Sequence, residues 1–506
     1  MPFRTYLLGS AALAGALALA SPVKAQTNAA FTNQIQALQE QIRQLNQQLQ
    51  NLQTQVNQTQ QNQAQTQRSV DQMKAQPQTA AAPGGIIASM PNNRPTLSTA
   101  DGQNTISLTG RIHFDMGDYL DYRPQSRRVG PNNLNSGVNL RRGRIGVLGK
   151  ILGDWNYALI YDFGGSNDSG AGGINASGVE MAEITYNGFR PFAFELGYQD
   201  IPYTLDEATS SNDIMFIERA SPQVIATNIA ANDFRANIGG HWNNDRAWIG
   251  IYGTGPQSGA NHGIGQQMGA TGRATFQVLQ SDDYSFHIGA DAEGLIKPAT
   301  NAGVRQITLS DRPELRIDTA QILSTGAIGT LANQVTGAHV LGAELAGGFG
   351  PFFAQAEYFH YNVARANARD LDFDGGYVQG SYTITGEHRK YIPGAGAYSG
   401  INPAHPFSLS SGGWGAWEVA ARYSIIDLND LFSPGLSTAS TGGVAGGHQE
   451  VITLGLNWYL NSNMRFMLNY LHGFVDKKSG STATAPLGSG IGGNFDAIAL
   501  RAQVAW

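Results

Sequence analysis

The 506-residue sequence contains no cysteine. That excludes a disulfide framework, a thiolate metal site and a lipid-modified N-terminal Cys. Charge is scarce: Asp, Glu, Lys and Arg make up 14% of the chain, and only seven residues are lysine. With a formal net charge of −6, nucleic acid is not an expected partner. Long hydrophobic runs are missing too. The stretch Leu7 to Ala20 is shorter than the roughly 20 residues of a membrane-crossing helix, and charged or polar residues interrupt every later run. Catalytic signatures are also absent, with no HExxH, GxSxG, P-loop or Rossmann glycine pattern after a strand. The ten histidines are scattered. No catalytic residue, metal set or cofactor is therefore expected.

Residues 1–25 read as a secretory signal peptide: Arg4, the short apolar stretch, then Val23-Lys24-Ala25 as a cleavage site. Removing them takes away Arg4 and Lys24 and no acid, so the net charge moves from −6 to −8.

Residues 26–75 are Gln/Asn-rich, yet Ile35, Leu38, Ile42, Leu45, Leu49, Leu52 and Val56 recur at alternating spacings of three and four. This a/d seam predicts a coiled coil, since a lone helix would leave the apolar stripe in water. Ile at a with Leu at d favours two strands in simple peptides, so the seam alone does not specify a trimer. Residues 76–103 contain Pro77, Pro83, Gly84, Gly85, Pro91 and Pro95 and read as an irregular linker.

From residue 104 to 506 the period changes from 3.5 to 2. In Ile106–Phe114, Trp155–Phe163, Phe192–Gln199 and Ile452–Trp458, apolar or glycine positions alternate with polar ones. Alternation alone means one buried face, as in a soluble sandwich. Three features favour a membrane barrel. Aromatics (Trp155, Tyr198, Trp417, Trp458, Trp506) sit on the apolar face near predicted strand ends, as interfacial girdles require. Short connections near 150–154, 187–191, 242–246, 279–283, 347–351 and 461–463 alternate with longer ones, the third of which is 200–232. Finally, Ile498, Leu500, Ala502, Val504 and Trp506 share one face, giving a last strand that ends on an aromatic. The prediction is an all-β, sixteen-stranded antiparallel transmembrane β-barrel, with both barrel ends and the coiled coil on the periplasmic side of an outer membrane. One connection, 387–413, is long where a short turn is due.

A charge facing hydrocarbon costs about 2–4 kcal/mol for Arg or Lys at mid-bilayer, so the polar positions of the alternation belong in the lumen. These are Arg111, His113, Asp115, Arg142, Arg144, Arg235, Arg273, His287, Asp291, Glu357, Arg422, Arg465 and Arg501. They read either as a transverse field acting on permeating ions or as wall ion pairs that support the barrel. Asp370-Leu371-Asp372-Phe373-Asp374-Gly375 looks like the start of a calcium loop, but Ser381 stands where the bidentate acid belongs. It is expected to be a solvated acidic turn in an external loop, with divalent-ion or lipopolysaccharide bridging as the alternative.

RIHFDMGDY (111–119), RRGRIGVLGKILGDWNYALIYDF (141–163), SSNDIMFIER (210–219), GAWEVAARYSIIDLND (415–430) and LGLNWYLNSNMRFMLNYLHG (454–473) resemble the phosphate-selective porin O/P family. The resemblance spans about 105–506. It implies a homotrimeric outer-membrane porin with sixteen strands, carrying small anions and hydrophilic solutes, with the third external loop folded into the pore. Here that loop brings Arg219 as a pore-lining candidate, but also Asp206, Glu207, Asp213 and Glu218. Family members that select phosphate use rows of arginine and clusters of lysine, and this chain keeps only five lysines in the barrel region. Passive diffusion with an anion preference, phosphate included as a candidate, is the expected function, in contact with outer-membrane lipid and lipopolysaccharide. The alternative is a structural envelope protein, in which the coiled coil spaces or tethers the membrane and the barrel is an anchor.

Overall fold

The computed structural model describes residues 85–125, 134–164, 178–231, 235–258, 265–281, 283–483 and 485–506. The predicted signal peptide, heptad segment and first part of the linker lie outside the described residues.

Period-2 alternation becomes a wall with an apolar outer face and a polar inner one. The strands are β1 (Thr105–Pro124), β2 (Gly137–Ile151), β3 (Trp155–Asp162), β4 (Gly178–Tyr186), β5 (Phe192–Gln199), β6 (Arg235–Asn243), β7 (Ala247–Gln257) and β8 (Met268–Gln280). They continue as β9 (Tyr284–Lys297), β10 (Val335–Phe349), β11 (Phe352–Arg365), β12 (Leu371–Thr383), β13 (Ala416–Asp430), β14 (Val444–Tyr459), β15 (Met464–Asp476) and β16 (Gly493–Ala505). Each pairs antiparallel with the next, and β16 pairs with β1 from Gly493↔Pro124 to Ala505↔Arg111. The barrel is closed. Closure leaves no edge whose backbone donors would cost several kcal/mol each in lipid.

The seam is finished by Trp506. Its N–H donates to the Gly110 carbonyl at 3.0 Å, and the Gly110 N–H donates back at 3.1 Å. The indole lies over Gly110, where a Cβ would stand. Gly110→Val is therefore expected to cost about 1–3 kcal/mol through overpacking. The check is the fraction of heat-modifiable, folded barrel on unheated gels; wild-type assembly in this variant would rule out the steric account.

On the outer face, rings cluster at the short-turn end: Trp417 stacks on Trp458 with centroids 5.2 Å apart, Trp155 meets Tyr186 at 4.6 Å, and Phe352 meets Tyr382 at 4.6 Å. Exposed aliphatics such as Leu159, Leu341 and Leu454 form the band beyond them. An aromatic girdle next to an apolar band is the surface a bilayer requires.

All six predicted short turns are short, and the connection between β12 and β13 is long, as expected. Two expectations change. Within the presumed linker, Ile86–Ser89 and Thr96–Thr99 form a hairpin that adds to β1 through Thr96↔Ser107; Pro91 and Pro95 lie outside its paired residues and leave the ladder intact. The acidic stretch 370–375 is not a loop either. Strand β12 begins at Leu371, and Asp372 and Asp374 face outward, accepting from Asn362 Nδ2 at 2.8 Å and from the Tyr358 hydroxyl at 2.5 Å. Pairing with β11 overrides the turn reading.

Candidate functional site in the barrel lumen

After β5 the chain turns into the lumen. Residues 200–231 are almost all buried, so the third long loop does fold inward. It carries two helices, α1 (Leu205–Ala208) and α2 (Ser221–Ala230). Thr204 caps α1 by accepting from the Glu207 N–H, and Glu357 on β11 accepts from the Leu205 and Asp206 N–H groups at 2.6 and 3.1 Å. Pro222 in the first turn of α2 costs no hydrogen bond there. Ile225, Ala226, Ile229 and Ala230 belong to a buried cluster with Tyr252, Val340, Phe359, Tyr361 and Ile426. Each isoleucine so buried is worth about 1.5–3 kcal/mol. The Tyr361 hydroxyl also donates to the Pro222 carbonyl at 2.5 Å.

Beyond this apolar seat the loop is held by charge. Glu218 receives Arg141 at 2.7 and 3.1 Å, Arg501 at 3.0 Å and Arg316 at 3.5 Å. Burial alone would raise its carboxyl, but Arg141, Arg501 and Arg316 hold it well below the usual carboxylate range. Arg501 in turn grips Asp115 with two bonds of 2.6 and 2.7 Å. Arg219 lies 3.2 Å from Glu207 and 3.7 Å from Asp206. The acids that would make this loop repel anions are thus mostly engaged by guanidinium groups.

Two further segments fill the lumen. The connection 298–334 places Glu314 against Arg422 at 2.6 Å and the Ser221 N–H at 2.9 Å, and Arg316 against Asp311 at 3.1 Å. From the opposite end, the connection 384–415 enters. Arg389 binds Glu418 at 2.9 to 3.1 Å and donates to the Asp213 carbonyl at 2.6 Å, joining the two inward segments. Arg273 donates to the carbonyls of Ala395 and Gly396 at 3.1 and 2.7 Å. Sequence gave only one hint of this second plug, its anomalous length.

Of the predicted residues, the structure brings together Arg111, His113, Asp115, Arg142, Arg144 and Arg501, on β1, β2 and β16. A bulge in β2 opposite His113 and Phe114 adds Arg141, which strict alternation had assigned to the other face. Arg142 is buried, lies 3.5 Å from His113 Nδ1 and has no carboxylate partner among the described residues. Arg144 pairs with Asp162 at 2.7 Å and with Glu180. Arg111, Arg144 and Arg465 line a cavity of about 490 Å³ at the short-turn end, facing Glu180, Asp200 and Asp213. Arg219 sits in the loop as expected. Arg235 is remote, donating to Gly255 and Asn228 carbonyls, while Arg273 and Arg422 are bound to Glu344 and Glu314. Half a turn round the barrel from the β1–β2 arginines, β9, β10 and β11 carry the buried acids Asp291, Glu293, Glu344 and Glu357. The lumen is polarised across its width.

A family model described as phosphate-selective porin O and P matches residues 106–506. Porin O of Pseudomonas aeruginosa is 26% identical over 402 residues, covering 75% of this chain and 85% of that protein. Among solved structures, OmpT of Vibrio cholerae in trimer form has a TM-score of 0.45 at 12% identity, covering 80% of this chain and 99% of the other. The anion-selective porin from Comamonas acidovorans has a TM-score of 0.43 at 12% identity, covering 80% and 100%.

Proposed function

Because the chain belongs to the phosphate-selective porin O and P family, an outer-membrane porin family, we propose that it passes small hydrophilic solutes by passive diffusion and prefers anions, as a homotrimer with its short turns in the periplasm. The observation that carries the anion preference is Arg142, a buried guanidinium without a carboxylate partner among the described residues, in a cluster with Arg141, Arg144 and Arg501. Glu218 acts on it from beyond ion-pair contact, and a buried charge that no counter-ion touches is costly, a cost that a visiting anion offsets. Phosphate is the candidate solute with the most to gain, since its oxygens accept several guanidinium donors at once.

A planar-bilayer reversal potential across a KCl gradient is expected to read anion-selective, with phosphate reducing the chloride current. Arg142→Ala is expected to lower the chloride-to-potassium permeability ratio several-fold. A cation-selective wild type sinks the anion preference and leaves passive diffusion standing. An unchanged ratio in the variant removes Arg142 from the account.

The filling of the lumen from both ends favours a second reading, in which the barrel is chiefly an anchor for the segment before it. Absence of any conductance from folded trimer would select that reading.

A further inference from the structure

We propose that Asp291, Glu344 and Glu357 form a calcium site in the lumen wall, and that the bound ion ties the start of α1 to the barrel. The three carboxylates come from neighbouring strands β9, β10 and β11, are all buried, and offer ligand oxygens that lie within 4.8 Å of one another. Carboxylate oxygens suit a hard cation, and ligands supplied by the protein suit calcium, bound at about 2.3–2.6 Å, better than magnesium, which keeps several of its waters.

Two unpartnered groups point to a ligand. Asp291 is 5% exposed, yet neither of its oxygens meets a partner at normal hydrogen-bond geometry. Beside it, the hydroxyl of Tyr203, 1% exposed, meets none at that geometry either; its weak hydrogen-bonding contact is with Asp291 itself and leaves at least one carboxylate oxygen bare. Buried carboxylate oxygens left this way are costly.

Charge fits as well. Glu344 is matched by Arg273, whose Nε lies 3.1 and 3.2 Å from its two oxygens. His287 stands between the Tyr391 hydroxyl at 3.1 Å and Glu344 at 3.2 Å, as a hydrogen-bonding neighbour of that carboxylate. Nearby, Glu293 faces Arg235, and Arg219 is shared between Glu207 and Asp206. Three carboxylates and one guanidinium leave two negative charges, the complement of one divalent cation.

The wall is shaped for this. Glycines stand opposite two of the acids, Gly342 facing Asp291 and Gly289 facing Glu344, and a Cβ at either would occupy the carboxylate's place. Glu357 meanwhile accepts from the Leu205 and Asp206 N–H groups and from the Tyr377 hydroxyl. An ion held there would connect β9 and β10 to the first turn of the inward loop. The site is independent of the proposed anion preference, and its readout is metal binding rather than current.

The test is titration of the full-length folded protein, stripped with EDTA, using Tb³⁺ as the probe and tyrosine-sensitised emission as the signal. One tight phase displaced by Ca²⁺ is expected, weakened at least ten-fold by Asp291→Asn and by Glu357→Gln, with Ca²⁺ raising the thermal midpoint of wild type but not of the variants. The outward acids are controlled by Asp372→Asn with Asp374→Asn, which should leave the tight phase unchanged. Equal Tb³⁺ affinity in wild type and whichever of the two site variants folds would overturn the proposal, as would a wild-type midpoint indifferent to Ca²⁺. Shared protons would then hold the trio.

Discussion

Glu218→Gln is expected to release the inward loop and raise the open-channel conductance, together with the chloride-to-potassium permeability ratio. Glu218 is the single carboxylate on which Arg141, Arg501 and Arg316 converge. Removing its charge takes away the carboxylate that those three buried guanidinium groups share, and breaking a buried pair from one side costs about 3–5 kcal/mol. Thermal unfolding would report the cost, and bilayer recordings the change in current and selectivity. Its pH dependence has a definite sign. The folded carboxyl titrates well below the ordinary glutamate value of 4.5. Its contribution is therefore complete above that value and is lost only as pH falls through the lower folded one. Loop seating should persist in mildly acid medium. A variant with unchanged stability and unchanged selectivity would mean that the apolar seat of α2 alone holds the loop.

The second large effect is expected from Arg389→Ala. Arg389 and Glu418 are buried, joined by three hydrogen bonds, and surrounded by Tyr459 and Asn457, both of which donate to Glu418. Burial opposes the charge on Arg389, but Glu418 raises its affinity for the proton above that of an ordinary arginine. Truncation strands Glu418 at a cost of about 3–5 kcal/mol and frees residues 384–415, which limited proteolysis would detect as new cleavage within that segment. Replacing both partners, Arg389→Leu with Glu418→Leu, is expected to recover most of the stability, because an apolar pair carries no desolvation cost. Recovery of stability without recovery of protease resistance would show that the segment is held by the pair specifically and not by the packing of its Tyr398 on Phe353, ring centroids 4.8 Å apart. If the double variant stays as unstable as Arg389→Ala, burial of charge is not the cause.

The wall was legible in the sequence because a barrel strand must satisfy lipid on one side and water on the other, which writes a period of 2 into residues such as Ile106 to Phe114. That logic placed Arg111, His113 and Asp115 inside and Trp417 and Trp458 outside. It failed at Arg141, where a bulge inserts one residue and shifts the parity, a change that no local signal announces. It also said nothing about which arginine meets which acid. Glu218 looked like a repulsive charge in the loop, and its three partners come from β2, β16 and a connection that alternation does not describe. Likewise, Asp370 to Asp374 read as a turn because local composition favoured it, until pairing with β11 decided otherwise.

The arginine cluster also constrains the order of folding. Glu218 and Arg501 are 283 residues apart in the chain, and the Asp213 carbonyl and Arg389 are 176 apart. Hairpins of adjacent strands can form from local contacts, but these links must wait for the distant parts to arrive, and long-range closures are the slow ones. Arg501 stands on β16, the strand that closes the ring against β1, so the loop cannot be fully seated before closure. A slow final phase should follow barrel closure, sensitive to Glu218 and Arg389 and indifferent to the outer girdle.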